Sequence, residues 1–307
     1  MSKARTVSVG VDVDALKYYF QIHGLNPDEA TDAAWSLGVP RFLDLFRESN
    51  CAATFYCVAS DLVEELPRQL VKEMVAQGHE VGNHTYDHHY GLTELSPAEI
   101  YEQISRARVR LEDVSGSSVV GFRAPGYHLN GTVIRAARAS GHRYDTSVFP
   151  CVPYYLAKAG IMGLMRLRGR SSQSLLGRPD ALIAPRSPYL ASLDNPYRRT
   201  DARGLEEFPI SVMAGVPLIG TAFTALGTLP SLGVVSAALR RYRHLTLEFH
   251  AADLLSIDED GLPPQLSVQP DLRVSWAQKF EVFAAVLGRL AAGAEVRRLD
   301  HMVGDVR

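Results

Sequence analysis

Short β-branched and aromatic runs alternate along this chain with longer stretches whose apolar residues recur every three to four positions. Thr6–Val13 reads as a strand. Ala33–Ser49, with Trp35, Leu37, Phe42, Leu45 and Phe46 on a broad face, reads as a helix. Ala52–Val58 is a second strand, followed by a helix over about Val63–Gln77 that stops at Gly78. His79–His84 is a short strand, and Pro97–Val114 is a charged amphipathic helix opened by Ser96, a residue of N-cap type. Val119–Arg123, Arg143–Val148, Glu207–Val212, His244–Phe249 and Glu295–Leu299 are the remaining strands. Strands separated by helices pair in parallel. Seven or eight such units in one chain predict the α/β class and a (β/α) barrel of about seven strands.

Composition narrows the function classes. The chain has 307 residues, 46% apolar and 21% charged, which excludes disorder, collagen and coiled coil as whole-chain answers. A net charge of −2 argues against a dedicated nucleic-acid binder. Cys51, Cys57 and Cys151 are odd in number and form no CxxC, so neither a disulfide framework nor a zinc knuckle is expected. Met1 to Thr6 runs straight into the first strand, too short a lead for a secretion signal. A cytoplasmic protein is the expectation. From Phe208 to Leu239 there are 32 residues without a charge. That exceeds the roughly 20 apolar residues a spanning helix needs. Pro209, Pro217, Pro230, Gly215, Gly220, Gly227 and Gly233 interrupt it, which predicts strands and loops instead.

In barrels of this kind the reactive groups sit at the C-terminal ends of the strands. Here the first strand ends in Asp12-Val-Asp14, the third in His84-Thr-Tyr-Asp-His88, the fourth in Arg123-Ala-Pro-Gly-Tyr127, and a late one in His250. Residues i and i+2 of an extended segment face the same side, so Asp12 and Asp14 can enter one pocket. Two histidines four apart on a helical turn share one face and can share one ion. Each piece also has a plainer reading: a helix-capping Asp pair, a solvated turn with a capping Asp87, a core histidine. Spacing four on a helical turn selects His88 over the adjacent His89. His79, Glu80 and Asp145 read as structural.

Taken together and in this order, Asp12-x-Asp14, Gly78-His-Glu-Val-Gly-Asn-His-Thr-Tyr-Asp-His88, Phe122-Arg-Ala-Pro-Gly-Tyr127 and Leu247-Glu-Phe-His250 resemble the polysaccharide deacetylase family of NodB homology, carbohydrate esterase family 4. The first motif departs from that family's usual Thr-Phe-Asp-Asp-Gly. It looks like the Asp-x-Asp variant of peptidoglycan-deacetylase-like proteins and lipid-linked aminoarabinose deformylases. The resemblance covers about residues 6–150 and 205–300. It implies a single distorted (β/α) barrel domain over 1–307, with an insertion at about 150–205.

The resemblance also implies roles. Asp14, His84 and His88 look like metal ligands with positions left open. The ligand types suit zinc, while cobalt, manganese, iron and nickel remain open. Asp12 would be the general base and His250 the general acid. Arg123 would orient Asp12 bidentately and hold it ionised. A backbone N–H at Gly126 or Tyr127 would stabilise the oxyanion. In the family pattern an aromatic directly follows the Pro, whereas Gly126 intervenes here. Asp253, three residues after His250, is read either as orienting that imidazole or as a helix-start carboxylate.

The implied reaction is hydrolysis of an N-acyl group, acetyl or formyl, on an amino sugar. Segment 158–203 carries nine basic residues (Lys158, Arg166, Arg168, Arg170, Arg178, Arg186, Arg198, Arg199, Arg203) against three acidic ones. With the apolar stretch Pro153–Leu167 it reads as a cap facing a lipid-linked or otherwise hydrophobic precursor at the inner membrane face, or as a solvated barrel-capping insertion. Hydrolysis of a small non-sugar amide or cyclic imide is the second reading, and a non-catalytic carbohydrate-binding barrel the third. No nucleic acid is expected as a partner, and the sequence is silent on oligomeric state.

Overall fold

In a computed structural model, which describes residues 5–167 and 177–306, the chain folds around one curled sheet. The strands are β1 (Thr6–Val13), β2 (Thr54–Cys57), β3 (Glu80–Asn83), β4 (Gly121–Phe122), β5 (Tyr144–Asp145), β6 (Tyr189–Ser192), β7 (Gly204–Glu207), β8 (Val212–Met213), β9 (Val216–Pro217), β10 (His244–His250) and β11 (Glu295–Val296). Their order is β10-β1-β2-β3-β4-β5-β7-β6, with β11 on the lower end of β1. Seven of these, β10 through β7, run parallel, in agreement with the expected barrel. Between β7 and β10 closure passes through irregular chain: Ser211 N–H donates to Thr246 O, and Glu248 N–H to Leu218 O. This is a distorted half-barrel.

The helices are α1 (Leu16–Ile22), α2 (Val39–Glu48), α3 (Glu65–Ala76), α4 (Pro97–Ser115), α5 (Gly131–Ala139), α6 (Val152–Leu167), α7 (Gly220–Leu226), α8 (Thr228–Arg241), α9 (Ile257–Asp260) and α10 (Trp276–Ala291). They bury their apolar stripes against the sheet, with Phe42, Phe46, Phe249 and Phe283 in one aromatic cluster. α4 begins where the sequence places it: the Ser96 hydroxyl accepts from Glu99 N–H, while Glu99 reaches back to Ser96 N–H. The helix read over Ala33–Ser49 is instead a π-helical turn (Ala34–Gly38) running into α2. Pro40 supplies no N–H to a regular ladder. A Cβ at Gly38 would stand 2.3 Å from Ala251 O, so the turn lies tight against the segment after β10.

Four strand readings shift. Val119–Arg123, Arg143–Val148 and Glu295–Leu299 shrink to two-residue strands, and Glu207–Val212 begins where β7 ends. Within the insertion expected at 150–205, α6 forms as an apolar helix, but β6 extends the main sheet antiparallel to β7. Arg168 and Arg170, read as part of the basic segment, lie outside the described residues, as does the Arg166 side chain. Phe208–Leu239 resolves into β8, β9, α7 and α8, and among the described residues no helix is long and apolar enough to cross a membrane.

Candidate active site

The register of the parallel strands brings the sequence-predicted groups to one level. Asp12 of β1 stands opposite His250 of β10, and Asn83 of β3 opposite Phe122 of β4, so His84 and Arg123 follow side by side. All of these lie at the C-terminal ends of their strands, where a barrel places reactive groups.

Asp14, His84 and His88 converge. Both His84 Nε2 and His88 Nε2 lie 3.3 Å from Asp14 Oδ1, and the ligand atoms of all three fall within 4.8 Å of one another. The two histidines do not share a helical turn as the spacing suggested. They sit in an irregular loop after β3, where Thr85 (φ 68°) and His88 (φ 56°) are left-handed. A helical turn would not need this strain. Asn83, which sequence reasoning missed, pins the loop: its side chain donates to Ile104 O of α4 and accepts from Thr85 N–H. His89 is exposed, whereas His88 is buried beside Asp14 and His84, though not through a helical turn.

The triad fits a cation. Asp14 Oδ1 and both His88 ring nitrogens are buried without a hydrogen-bond partner, an arrangement that costs about 1–3 kcal/mol per group when nothing satisfies it. The His84 Nδ1–H donates to Arg123 O at 2.7 Å, which fixes the tautomer and leaves the Nε2 lone pair aimed at Asp14. Burial works against the Asp14 charge, but His88 and His84 outweigh it and hold its carboxyl well below the usual range. One carboxylate with two imidazoles is a donor set that suits a divalent ion such as zinc.

Across the site stands a second cluster, Asp12, Glu248 and His250. Arg123 is fully buried, and its Nη1 donates to Asp12 Oδ1 at 2.6 Å. Its remaining donors go to Thr146 O and Thr146 Oγ1, so the bidentate grip expected on Asp12 is a single bond. The guanidinium also lies 4.2 Å from the centre of the Tyr56 ring. A Cβ at Gly10 would come within 3.0 Å of Arg123 Nη2, so the glycine two residues below Asp12 makes room for it. Burial raises Asp12 above its ordinary value, more than Arg123 lowers it.

His250 Nδ1 lies 2.8 Å from Glu248 Oε1, and its Nε2 lies 3.9 Å from Asp14 Oδ2. Burial disfavours the charged imidazole, but Glu248 more than compensates and holds His250 well above the usual histidine range. The Asp253 carboxylate meets the backbone of His250 and not its ring: Oδ2 accepts from the His250 N–H at 2.8 Å, while the His250 ring accepts from the Asp253 backbone N–H, a reciprocal helix-start cap. Glu248 was missed, although it stands at i−2 from His250 on a strand, the same face-sharing offset that links Asp12 and Asp14.

Gly126 (φ 60°) and Tyr127 (φ 64°) form a left-handed turn after Arg123. The Tyr127 N–H closes that turn onto Ala124 O, which leaves Gly126 as the oxyanion candidate of the two. The Tyr127 ring packs on Phe149 and Tyr154, so the first turn of α6 walls the site. His79 and Glu80 are structural as read: His79 Nδ1 accepts from Ala53 N–H, and Glu80 accepts from Thr54 and Tyr144. Asp145 accepts from Ser147 Oγ, which in turn accepts from Ala124 N–H, supporting the same turn from behind. Beside His88 opens a cleft of about 600 Å³ lined by Gln21, Asp87, His89, Tyr90 and Glu94.

Residues 30–144 match the family model described as polysaccharide deacetylase. That stretch takes in His84, His88 and Arg123 and leaves Asp12, Asp14 and His250 outside. The chain is similar to a peptidoglycan deacetylase of Helicobacter pylori, with 29% identity over 163 residues, 51% of this chain and 54% of the relative. It is similar also to a peptidoglycan-N-acetylglucosamine deacetylase of Bacillus cereus, with 30% identity over 116 residues, 38% of this chain and 51% of the relative. The aligned stretches thus span about half the length of these curated relatives. A putative polysaccharide deacetylase from Mycobacterium smegmatis shares the fold, with TM-score 0.61 and 17% identity over 100% of this chain and 92% of that one.

Proposed function

Because the chain belongs to the polysaccharide deacetylase family of NodB homology, carbohydrate esterase family 4, we propose that it is a metal-dependent hydrolase that removes an N-acyl group from an amino sugar. The observation that carries this reading is the pairing of an ion-ready triad with an acid–base cluster across one small space. Asp14, His84 and His88 would hold the ion. When bound, a divalent cation supplies Lewis-acid polarisation of the acyl carbonyl and lowers the pKa of water.

The chain's own groups divide the proton work. Asp12 takes a proton from the attacking water. Arg123 occupies Oδ1 and so directs Oδ2, which lies 3.9 Å from His84 Nε2, towards the reacting centre. Its upward shift brings this carboxylate closer to the working pH of a base. The oxyanion that forms is met by the Gly126 N–H. His250, kept protonated by Glu248 on Nδ1, delivers a proton through Nε2 to the departing nitrogen. The amide C–N bond breaks, the acyl group leaves as the free acid, and the amine remains on the sugar.

For the substrate, the apolar insertion favours a hydrophobic carrier. Tyr154 of α6 walls the site, while Val152 and Leu156, one turn apart on the same helix, are 39% and 68% exposed. This arrangement supports a lipid-linked amino-sugar precursor reached at a membrane face, within a single deacetylase domain in which 150–205 forms the cap. Proton NMR of small acids released by the zinc-loaded protein tests the reading, with a lipid extract and soluble N-acetylglucosamine oligomers offered separately. Acetate or formate from the lipid fraction is the expected result. Acid from the soluble oligomers alone would overturn the lipid-linked substrate and keep the hydrolase. No acid from either would overturn the hydrolase.

A further inference from the structure

The two imidazoles of the triad are held in different ways. His84 is oriented by a hydrogen bond from Nδ1 to Arg123 O. His88 has no hydrogen bond on either ring nitrogen, although it is only 2% exposed. What surrounds it is aromatic. The Tyr18 ring centre lies 4.5 Å away and tilted by 33°, the Tyr90 ring stands edge-on at 4.7 Å, and His84 is at 4.9 Å. Tilted and edge-on ring pairs at such distances attract beyond the area they bury.

Tyr18 is itself anchored. Its hydroxyl donates to Asp61 Oδ1 at 3.3 Å and lies 3.4 Å from Ser60 Oγ. Asp61 is buried and held from both sides, by Lys17 Nζ on Oδ1 at 2.6 Å and by Trp35 Nε1 on Oδ2 at 3.2 Å. Lys17 and Tyr18 come from α1, Trp35 from the π-helical turn, and Asp61 from the 3₁₀ segment Ala59–Val63 after β2. Three separate segments therefore converge to fix one phenol ring. That ring's other neighbour is an imidazole whose Nε2 lies 3.3 Å from Asp14 Oδ1. A network of this cost is not needed merely to fill space, since an apolar side chain would fill the same volume without burying a carboxylate.

We propose that Tyr18, locked by Asp61, and Tyr90 form an aromatic clamp that positions His88 for the cation, in place of the hydrogen bond that positions His84. The clamp rests on the metal reading of the triad, and it assigns Tyr18, Asp61 and Tyr90 as positioning residues. Outer partners of metal-ligating histidines typically change metal affinity by about 10–100-fold when removed. The clamp is expected to act on that scale.

The test is zinc affinity, by competition with a chromophoric chelator, together with the visible spectrum of the cobalt(II)-loaded protein. Tyr18→Leu and Tyr90→Leu should each lower zinc affinity by about 10-fold or more and broaden the cobalt bands. Tyr18→Phe keeps the ring but loses its anchor on Asp61, so it and Asp61→Asn should both fall between wild type and Tyr18→Leu. Circular dichroism and thermal melting identify any variant that fails to fold; in that case the remaining Leu variant and the Phe and Asn pair decide. Wild-type affinity in both Leu variants, with zinc still lost in His84→Ala, would overturn the clamp and leave the metal site standing. Zinc binding in His84→Ala equal to wild type would overturn the metal reading itself.

Discussion

Asp14, His84 and His88 on one side of the site and Asp12, Glu248 and His250 on the other are both built from carboxylates and imidazoles, with His250 alone partly exposed. Their charged partners differ. In the first cluster Asp14 Oδ1 faces only the two imidazole nitrogens at 3.3 Å, and neither it nor His88 makes a hydrogen bond. In the second, the Arg123 guanidinium donates to Asp12 Oδ1 and His250 Nδ1 lies 2.8 Å from Glu248 Oε1, although both Glu248 oxygens are also buried without a formed hydrogen bond. Buried atoms without a partner can mark where a ligand belongs. Paired charges with shifted pKa values can mark where protons are moved. On the proposed function, the same chemistry separates into a binding half and a proton-transfer half.

The largest effect expected from breaking this division is at the ligands. His84→Ala should bring acid release to background, a loss exceeding the roughly 10²–10⁴-fold that one proton-transfer group contributes. Asp12→Asn should reduce kcat by about 10²–10⁴. Acetate release from N-acetylglucosamine oligomers reads both.

Glu248→Gln sharpens the second half. His250 must be protonated to serve as an acid, so activity falls as pH rises through its pKa, and Glu248 holds that pKa above the ordinary value. Removing the charge lowers it, and the alkaline limb of the kcat/KM profile should move to lower pH. An unmoved limb would take His250 out of the acid role. Smallest and outside both halves is Ser96→Ala, which removes the α4 capping box. It should cost about 1 kcal/mol in denaturant unfolding, with turnover unchanged.

Much of the frame is legible in the alternation of strands and helices, because parallel pairing needs crossover helices and both leave periodic traces. The convergence of the candidate groups was legible where they end or follow a strand, as with Asp12, Asp14, Arg123 and His250. Local geometry was misread where the backbone departs from regular elements. The loop carrying His84 and His88 turns through left-handed residues that no periodicity announces. Glu248 was overlooked inside an apolar run, although the i−2 offset from His250 was available. The Asp253 carboxylate meets the His250 backbone N–H and not the ring, a pairing that sequence does not display. β6 pairs antiparallel at the sheet edge, and that pairing depends on a distant partner rather than on its own pattern.

The division into a binding half and a proton-transfer half is tested most directly by zinc content per chain after equilibration and gel filtration, in wild type, Asp12→Asn and His84→Ala. Asp12→Asn should keep zinc at the wild-type level while His84→Ala loses it. Loss of zinc from Asp12→Asn to the same extent as from His84→Ala would contradict the division and make Asp12 a ligand.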